Sequence, residues 1–254
     1  METPVPDPFG PWFAALERRH LADLTFQEVR RALQALSSLY VNRRKGLQAG
    51  GALDGAGKRA AFAIFYGPLH FLLVREVVRA LDAAAPAPAQ VVDLGCGTGP
   101  AGAAWALEAG RRPQVTGIDR NGWAVGEANW AYTTLGLRGH ARREEIDRTD
   151  LPGRGGAVLA AFTVNEVAPA TRDRLLPRLV AAAGRGARVL VIEPIARRAA
   201  PWWEDWSAAF VAAGGRNDAW RFEVDLPERL RLFDRAAGLE HRELTGRSLY
   251  LSGR

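Results

Sequence analysis

The chain of 254 residues is long enough for one sizeable α/β domain with an appendage, or for two small domains. Its hydrophobic share of 48% and charged share of 24% are those of an ordinary globular protein and argue against a disordered or fibrous chain. A single cysteine, Cys96, excludes an intrachain disulfide and a zinc site built from cysteines.

The N-terminal segment METPVPDPFGPWF has acids and prolines where a signal peptide would have a basic start and an apolar run. No apolar stretch is expected to approach the roughly 18 residues of a membrane span. We therefore expect a cytoplasmic protein with no membrane partner.

The net charge of +6 is carried almost entirely by arginine, since Lys45 and Lys58 are the only lysines. A basic chain can bind nucleic acid, and this partner stays open. The arginines form scattered pairs rather than a dense run, which is typical of a solvated surface in an arginine-rich composition. We therefore favour a small-molecule substrate over RNA, and we expect no metal.

The first 86 residues carry helical patterns and predict a helical unit that precedes the core. Thr25-Phe26-Gln27-Glu28 is a capping box, so a helix should begin near Phe26. A second apolar helical pattern runs over 59–81, and Gly67-Pro68 should interrupt it, with a new helix starting at the proline. The glycines of 46–57 predict a flexible loop between the two. The first helix should have an apolar face made of Val29, Leu33, Leu36 and Tyr40.

From residue 87 onward, strand and helix patterns alternate, which is typical of βαβ units on a mostly parallel sheet. Near the end, two short strands, 241–245 and 247–253, should form a hairpin around Gly246. We predict a doubly wound α/β domain over 87–254 with seven strands, the last two antiparallel, behind a helical N-terminal lid over 1–86. The other strand candidates are 90–95, 114–119, 141–146, 157–164 and 187–194, and the helix candidates are 101–110, 121–136, 169–184 and 226–239.

The segment VVDLGCGTGPAG (91–102) predicts a strand, a tight glycine loop and a helix. Such a loop lets a ligand approach the backbone, and the helix behind it directs unpaired N–H groups at that ligand. A dinucleotide fingerprint has the spacing G-x-G-x-x-G, but here the third glycine comes one residue early, at Gly99. Asp93 would also repel a pyrophosphate, whereas it suits a ligand that carries an ammonium group.

The run Asp93-Leu94-Gly95-Cys96-Gly97-Thr98-Gly99 resembles the first motif of class I S-adenosylmethionine-dependent methyltransferases, and the resemblance extends over 90–251. It implies the Rossmann-like fold of that family, S-adenosylmethionine as the cofactor and methyl transfer as the activity. In the family, an acid that ends the second strand takes the ribose hydroxyls and an acid after the third strand accepts from the adenine amine. Asp119 and Asp147 hold these positions. The implied cofactor-binding residues are Asp93, Gly95, Cys96, Gly97, Gly99, Asp119, Arg120, Asp147 and Asn165.

One position departs from the family pattern. Arg120 follows Asp119 where the family often has an apolar residue under the adenine. Trp123 is the candidate to cover that face instead.

Missing residues narrow the chemistry. A covalent cytosine-C5 mechanism needs a nucleophilic cysteine, but Cys96 lies inside the glycine loop. The core has no lysine for lysine-based ribose 2′-O-methylation, and Asn165-Glu166-Val167-Ala168 replaces the Asn/Asp-Pro-Pro-Tyr signature of exocyclic-amine methylation. A small-molecule or protein methyltransferase, or an RNA-associated enzyme of another type, remains.

Few catalytic residues need be visible, because methyl transfer depends on in-line positioning and needs a base only if the acceptor loses a proton. Glu166 follows strand four and is either that base or a helix-capping residue. His70 is either a base or a packing residue, and Tyr66 accompanies it beside the Gly67-Pro68 break. The tryptophan-rich run 201–210 is either a stacking surface for a flat substrate or a packed amphipathic helix.

A weaker resemblance covers the whole chain. The segment SLYVNRRKG (38–46), the glycine-rich loop, the kinked helix and the core are similar to a family of ribosome-associated methyltransferase-like proteins. That family carries a cysteine cluster, which this chain lacks. The resemblance implies an alternative function, an RNA- or ribosome-binding assembly factor with little or no catalysis, whose binding would weaken steeply with salt.

Overall fold

The computed structural model describes residues 7–42, 55–195 and 201–253. Its strands are β1 (Gln90–Leu94), β2 (Gln114–Asp119), β3 (Gly139–Arg143), β4 (Gly156–Ala161), β5 (Arg188–Glu193), β6 (Arg216–Glu223) and β7 (Glu243–Leu251). Its helices are α1 (Phe9–His20), α2 (Phe26–Asn42), α3 (Ala56–Ala80), α4 (Pro100–Glu108), α5 (Gly122–Thr134), α6 (Pro169–Gly184), α7 (Trp203–Ala212) and α8 (Glu228–Ala236).

All seven strands belong to one sheet in the order β3-β2-β1-β4-β5-β7-β6. The first five strands are parallel, while β7 runs antiparallel to both β5 and β6. The strand order reverses between β1 and β4, and ligands bind at the carboxyl ends of the strands at such a switch point. The predicted doubly wound, mostly parallel, seven-stranded fold is confirmed.

The predicted C-terminal hairpin is wrong. Residues 243–251 form one continuous strand, β7, and its antiparallel partner β6 comes earlier in the chain, at 216–223. Gly246 lies inside β7 rather than in a turn. A Cβ at this position would lie 3.0 Å from Cδ2 of Leu73, so the glycine lets α3 pack closely against the strand.

The strand boundaries that differ most from the prediction are those of β3 and β4. Strand β3 begins two residues earlier than expected, at Gly139, and β4 ends at Ala161 instead of reaching Val164. The early end of β4 follows from Phe162, which has a positive φ of 58° and turns the chain out of the sheet.

The two faces of the sheet are covered by different helices. Helices α1–α5 and α8 form one hydrophobic core with residues of β1, β2, β4 and β7, so the predicted lid shares a core with the sheet. Helices α6 and α7 form the second core on the opposite face. In α7, Trp203, Trp206 and Phe210 are buried, which confirms the packed amphipathic helix over 201–210. The predicted boundary near residue 86 stays a prediction.

Helix α2 begins where the capping box places it. The Thr25 N–H donates to Oε2 of Glu28 (2.8 Å), and the Glu28 N–H donates to Oγ1 of Thr25 (3.4 Å). The predicted apolar face is buried at Val29, Leu33 and Leu36. The side chain of Tyr40 and residues 46–54 of the predicted loop lie outside the described residues.

The predicted interruption of the second helical pattern is confirmed in part: α-helical hydrogen bonding stops before Gly67-Pro68, and a new α-helical segment begins at Gly67 with Pro68 in its first turn. The chain nevertheless stays helical throughout, so α3 continues through this point. It contains a π-helical turn, Phe62–Tyr66, in which the Gly67 N–H donates to the Phe62 carbonyl. This wider turn directly precedes the proline and accommodates its missing N–H. Contrary to expectation, α3 is the one helix in the described chain that is long and apolar enough to cross a membrane, but 72% of its apolar window is buried inside the protein, as for a core helix.

Candidate cofactor-binding site

The glycine loop connects β1 to α4 and lies across the end of β2. The N–H groups of Gly95 and Cys96 both donate to the Ile118 carbonyl, at 2.8 and 3.0 Å. The Gly97 N–H donates to Oδ2 of Asp119 at 2.9 Å. The loop and the acid that ends β2, which were both singled out in the sequence, are therefore joined directly.

Asp93 is a buried carboxylate beneath this loop. Its Oδ2 accepts from the N–H of Gly102, in the first turn of α4, at 2.8 Å. Its Oδ1 is buried and has no hydrogen-bond partner among the described residues. Burial raises the pKa of Asp93 to about 7. A spare buried acceptor fits a ligand that brings a donor or a cation, and the expected contact with an ammonium group stays a prediction.

Two of the loop glycines are also required by packing. A Cβ on Gly95 would lie 2.3 Å from Cγ2 of Thr163, which follows β4. Gly99 has φ of 85° and caps α4, and a Cβ there would lie 2.9 Å from the Tyr132 ring of α5. The tight spacing of the motif therefore has a structural reason in addition to any ligand.

Cys96 is buried under the loop, and burial raises the pKa of its thiol well above the ordinary value. The reactive form of cysteine is the thiolate, so this thiol is a poor nucleophile. This finding agrees with the exclusion of covalent cysteine chemistry from the sequence.

Asp119 lies between the loop and the start of α5. Its Oδ1 accepts from the Asn121 N–H at 2.8 Å, and Asn121 in turn caps α5 by accepting from the N–H groups of Trp123 and Ala124. Burial raises the pKa of Asp119. The carboxylate keeps acceptor capacity beyond these backbone bonds, so it can still accept hydrogen bonds from a diol.

The two residues predicted to cover the adenine have different surroundings. The Arg120 side chain is exposed, and its carbonyl accepts from Nε of Arg143 at 3.0 Å. The Trp123 ring lies 5.5 Å from the Arg59 guanidinium and edge-on to His20, with ring centres 6.2 Å apart. Trp123 is therefore held against the lid, and its contact with an adenine stays a prediction.

Asp147 has a protein partner of its own. Its Oδ2 accepts from Nε of Arg174, on α6, at 2.7 Å, and only 7% of the Asp147 side chain is exposed. The pair fixes the segment after β3 onto α6. The expected bond to an adenine amine stays a prediction alongside this structural role.

The turn after β4 carries several site residues. Oγ1 of Thr163 lies 3.0 Å from the Leu94 carbonyl, which ties this turn to the glycine loop. Asn165 uses both ends of its side chain, since Nδ2 donates to Oε2 of Glu193 (2.7 Å) and Oδ1 accepts from Nε1 of Trp202 (2.9 Å). The predicted cofactor contact of Asn165 is untested by this arrangement.

Glu166 is the acid of this turn with no hydrogen bond to its side chain among the described residues. Burial and, to a smaller extent, the charge of Asp119 raise the pKa of its carboxyl, and Arg120 opposes them, with a net pKa of about 7. Glu166 therefore lies in the same electrostatic neighbourhood as the predicted ribose site. A carboxyl that titrates near neutral pH can take a proton from an acceptor.

The predicted catalytic pair of α3 faces the same turn. The His70 ring stacks on Phe162 with ring centres 3.9 Å apart and an interplanar angle of 13°. Burial lowers the pKa of His70 to about 3 and raises that of Tyr66, whose ring centre lies 6.3 Å away, to about 12. Both groups are therefore neutral at physiological pH. The π turn also packs close to the glycine loop, since the Phe62 ring lies 3.6 Å from the place of a Cβ on Gly97.

Sequence reasoning missed Phe162 and Thr163 as individual parts of this site, but it placed Glu193 at this edge. The strained φ of Phe162 has no sequence signal, because the left-handed region is uncommon for a bulky residue. The close contact of Thr163 with Gly95 also depends on tertiary packing. Glu193 was visible as an acid at the end of a predicted strand, at the edge where ligands bind.

Comparisons with known proteins support the fold. No family model matches the chain, and no curated protein matches it. A proposed O-methyltransferase from Nostoc punctiforme is 16% identical, with 88% of this chain and 72% of that chain covered and a TM-score of 0.56. The mitomycin 7-O-methyltransferase MmcR is 16% identical, with 98% and 74% covered and a TM-score of 0.55.

A third solved structure, the S-adenosylmethionine-dependent methyltransferase SibL, is 17% identical, with 96% of this chain and 75% of that chain covered and a TM-score of 0.53. At these identities the likeness concerns the fold. The chain thus has the Rossmann-like fold that these methyltransferases share. The weaker resemblance to ribosome-associated proteins gains no support from them.

Proposed function

We propose that this protein transfers a methyl group from S-adenosylmethionine to a small molecule. The observation that carries the proposal is the direct bond between the glycine loop and Asp119 at the point where the strand order reverses. The methyltransferase fold of the similar structures supports it. The acceptor is a hydroxyl, amine or carboxyl group.

The residues fit a cationic cofactor better than a dinucleotide. Asp93 has a buried oxygen without a partner, and Asp119 and Glu166 add two acids at the same edge of the sheet. Such a cluster attracts a ligand with an ammonium and a sulfonium group and repels a pyrophosphate. When bound, S-adenosylmethionine supplies a methyl group on positively charged sulfur.

Glu166 is the preferred proton acceptor of the proposed reaction. Its carboxylate takes the proton of an acceptor hydroxyl or ammonium, since it titrates near neutral pH. His70 is a weaker candidate, because burial lowers its pKa to about 3 and so makes it a poor base. With Tyr66 and Phe162, His70 instead forms an aromatic wall that excludes water and positions the acceptor.

Ion pairs between arginines and acidic residues favour a small acceptor over RNA. Arg19 pairs with Glu127, Arg142 with Glu144 and Arg174 with Asp147. These charges are already neutralised within the protein, which weakens the alternative of an RNA- or ribosome-binding factor. A cytoplasmic location and the absence of a metal remain parts of this proposal.

Calorimetric titration of S-adenosylmethionine into the full chain, freed of copurified cofactor, tests the proposal. The wild type should bind, and Asp119→Ala should bind about 10- to 100-fold more weakly, because it loses charge-assisted hydrogen bonds. Asp218→Ala is the matched control, since Asp218 pairs with Arg216 at the far edge of the sheet. Equal affinity in wild type and Asp119→Ala, or binding of NADH in place of S-adenosylmethionine, would overturn it.

A further inference from the structure

A buried polar network lies at the carboxyl end of β5, on the face of the sheet that α7 covers. Glu193 has no exposed surface and accepts two hydrogen bonds from Asn165. The Asn165 N–H donates to Oε1 (3.2 Å), and Nδ2 of Asn165 donates to Oε2 (2.7 Å). Trp202 completes the network by donating from Nε1 to Oδ1 of Asn165. Glu193 thus accepts hydrogen bonds from both the backbone and the side chain of Asn165.

The network also has a balancing cation. Arg247 of β7 is the register partner of Glu193, and its guanidinium lies 4.1 Å from the centre of the Trp203 ring. The Arg247 charge partly offsets the effect of burial, which raises the pKa of Glu193 to about 8. A buried carboxyl costs stability unless it is well bonded, so its place at a ligand-binding edge calls for a role beyond packing.

Asn165, which Glu193 holds by these hydrogen bonds, directly precedes Glu166. The Glu166 N–H donates to the Thr163 carbonyl at 3.0 Å, so residues 163–166 form one compact turn. Thr163 fastens one end of this turn to the Leu94 carbonyl, and Glu193 fastens the other end through Asn165. The direction of the Glu166 side chain therefore depends on two anchors.

We propose that Glu193 is a positioning residue, which holds the turn after β4 through Asn165 and so fixes the Glu166 carboxylate at the edge of the sheet where Asp119 ends β2. The inference rests on the proposed function, since it assigns Glu193 to the acceptor side of that site. Asn165 and Trp202 are the other members of this polar network. None of the three needs to touch the cofactor or the acceptor.

The test measures the titration of the Glu166 carboxyl in the full chain without cofactor, by carbon-13 NMR of labelled glutamate. Glu166→Gln assigns the signal. In Asn165→Ala the Glu193 side chain and the backbone N–H bond to it remain, but the side-chain bonds of residue 165 to Glu193 and Trp202 are lost. The Glu166 midpoint should therefore fall by about one pH unit or more as the carboxyl reaches solvent. Glu193→Gln should lower it as well, because an amide cannot accept from both Asn165 donors.

A double variant that reverses the direction of the hydrogen bond between residues 165 and 193 should restore the position of Glu166. In the double variant Glu193→Gln with Asn165→Asp, the amide of residue 193 donates to the carboxylate of residue 165, which still accepts from Trp202. The Glu166 midpoint should return to within a few tenths of a unit of wild type. Because the double variant moves the carboxylate to residue 165, next to Glu166, Asn165→Asp alone is the control for the effect of that charge on the Glu166 midpoint.

Two outcomes overturn the proposal: a Glu166 midpoint unchanged in folded Asn165→Ala, or no recovery in the double variant. If Asn165→Ala fails to fold by circular dichroism, Trp202→Phe decides, since it keeps an aromatic side chain and removes the indole N–H that donates to Asn165. An unchanged midpoint in Trp202→Phe would then count against the proposal. Because no cofactor is present, the result is independent of whether the protein binds S-adenosylmethionine, which calorimetry measures separately.

Discussion

Gly95 is the residue at which the glycine loop and the turn after β4 meet. Its φ is 68°, and the place of a Cβ is already filled by the Thr163 side chain, whose Oγ1 would lie 2.4 Å away. The residue is therefore fixed both by backbone conformation and by close approach. Any side chain at 95 would push the two halves of the site apart.

Gly95→Ala should lower the free energy of unfolding by about 2–4 kcal/mol, because a left-handed alanine and a steric clash add together. Urea unfolding measures this change. Gly126→Ala is the control, since Gly126 lies in α5 with open space around it and alanine there should stabilise by about 0.5–1 kcal/mol. Similar stability of the two variants would contradict the close contact with Thr163.

Some site residues follow from the sequence and others do not. Asp93 and Asp119 end neighbouring parallel strands, so the strand pattern alone brings their carboxylates to one edge. The stacking of His70 on Phe162 depends on a backbone conformation that is rare for phenylalanine, and no pattern indicates it. The functions assigned to these residues stay predictions.

Among the helices, α1 and α5 are joined by an ion-pair cluster that holds the lid on the core. Glu127 of α5 accepts from Nε and Nη2 of Arg19, both at 2.9 Å, and lies 3.0 Å from Nε2 of His20. Although burial opposes it, these hydrogen bonds lower the pKa of Glu127 to about 2. The carboxylate therefore stays ionised and the cluster persists at physiological pH.

Glu127→Gln should loosen α1 from α5, because a bidentate acceptor for arginine becomes an amide with one acceptor atom. The expected loss is about 1–3 kcal/mol of unfolding free energy, reduced from the value for a fully buried pair because Arg19 is 41% exposed. Hydrogen exchange of the amides in Phe9–His20 should become faster. Exchange as slow as in wild type would mean that apolar packing alone holds α1.

The elements that the sequence did not predict correctly have physical explanations. Strand β6 was not predicted because its apolar pattern is short, with only Trp220 and Phe222 alternating with polar residues. An edge strand with one covered face needs few apolar side chains. Gly246 carries a turn signal that tertiary packing overrides. The buried parallel strands, in contrast, have continuous apolar runs and were found within two or three residues.

Across the whole molecule, the notable charge feature is a set of acids that burial holds partly protonated. The pKa values of Asp93 and Glu166 rise to about 7, and that of Glu193 rises to about 8. Between their unfolded and folded pKa values, the folded state binds more protons than the unfolded state. Stability therefore falls as pH rises through this range.

The useful window lies above pH 6.5. Below it, His70 has the opposite effect, because its pKa falls to about 3 in the folded state and its contribution grows with pH until the unfolded value is passed. From pH 6.5 to 8 the acids dominate, so the thermal midpoint of the cofactor-free protein should decrease. Glu166→Gln should make the decrease shallower. A midpoint that is constant or rises over this interval would show that these acids are ionised throughout.

The central claim is that the edge formed by the glycine loop, Asp119 and the turn after β4 holds S-adenosylmethionine. A crystal structure of the full chain with S-adenosylhomocysteine tests it most directly. We expect the amino-acid part of the ligand along the glycine loop, the ribose hydroxyls on Asp119, and the sulfur facing Glu166 and the aromatic wall of Tyr66, His70 and Phe162. A ligand bound elsewhere, or an empty edge at saturating concentration, would contradict the claim.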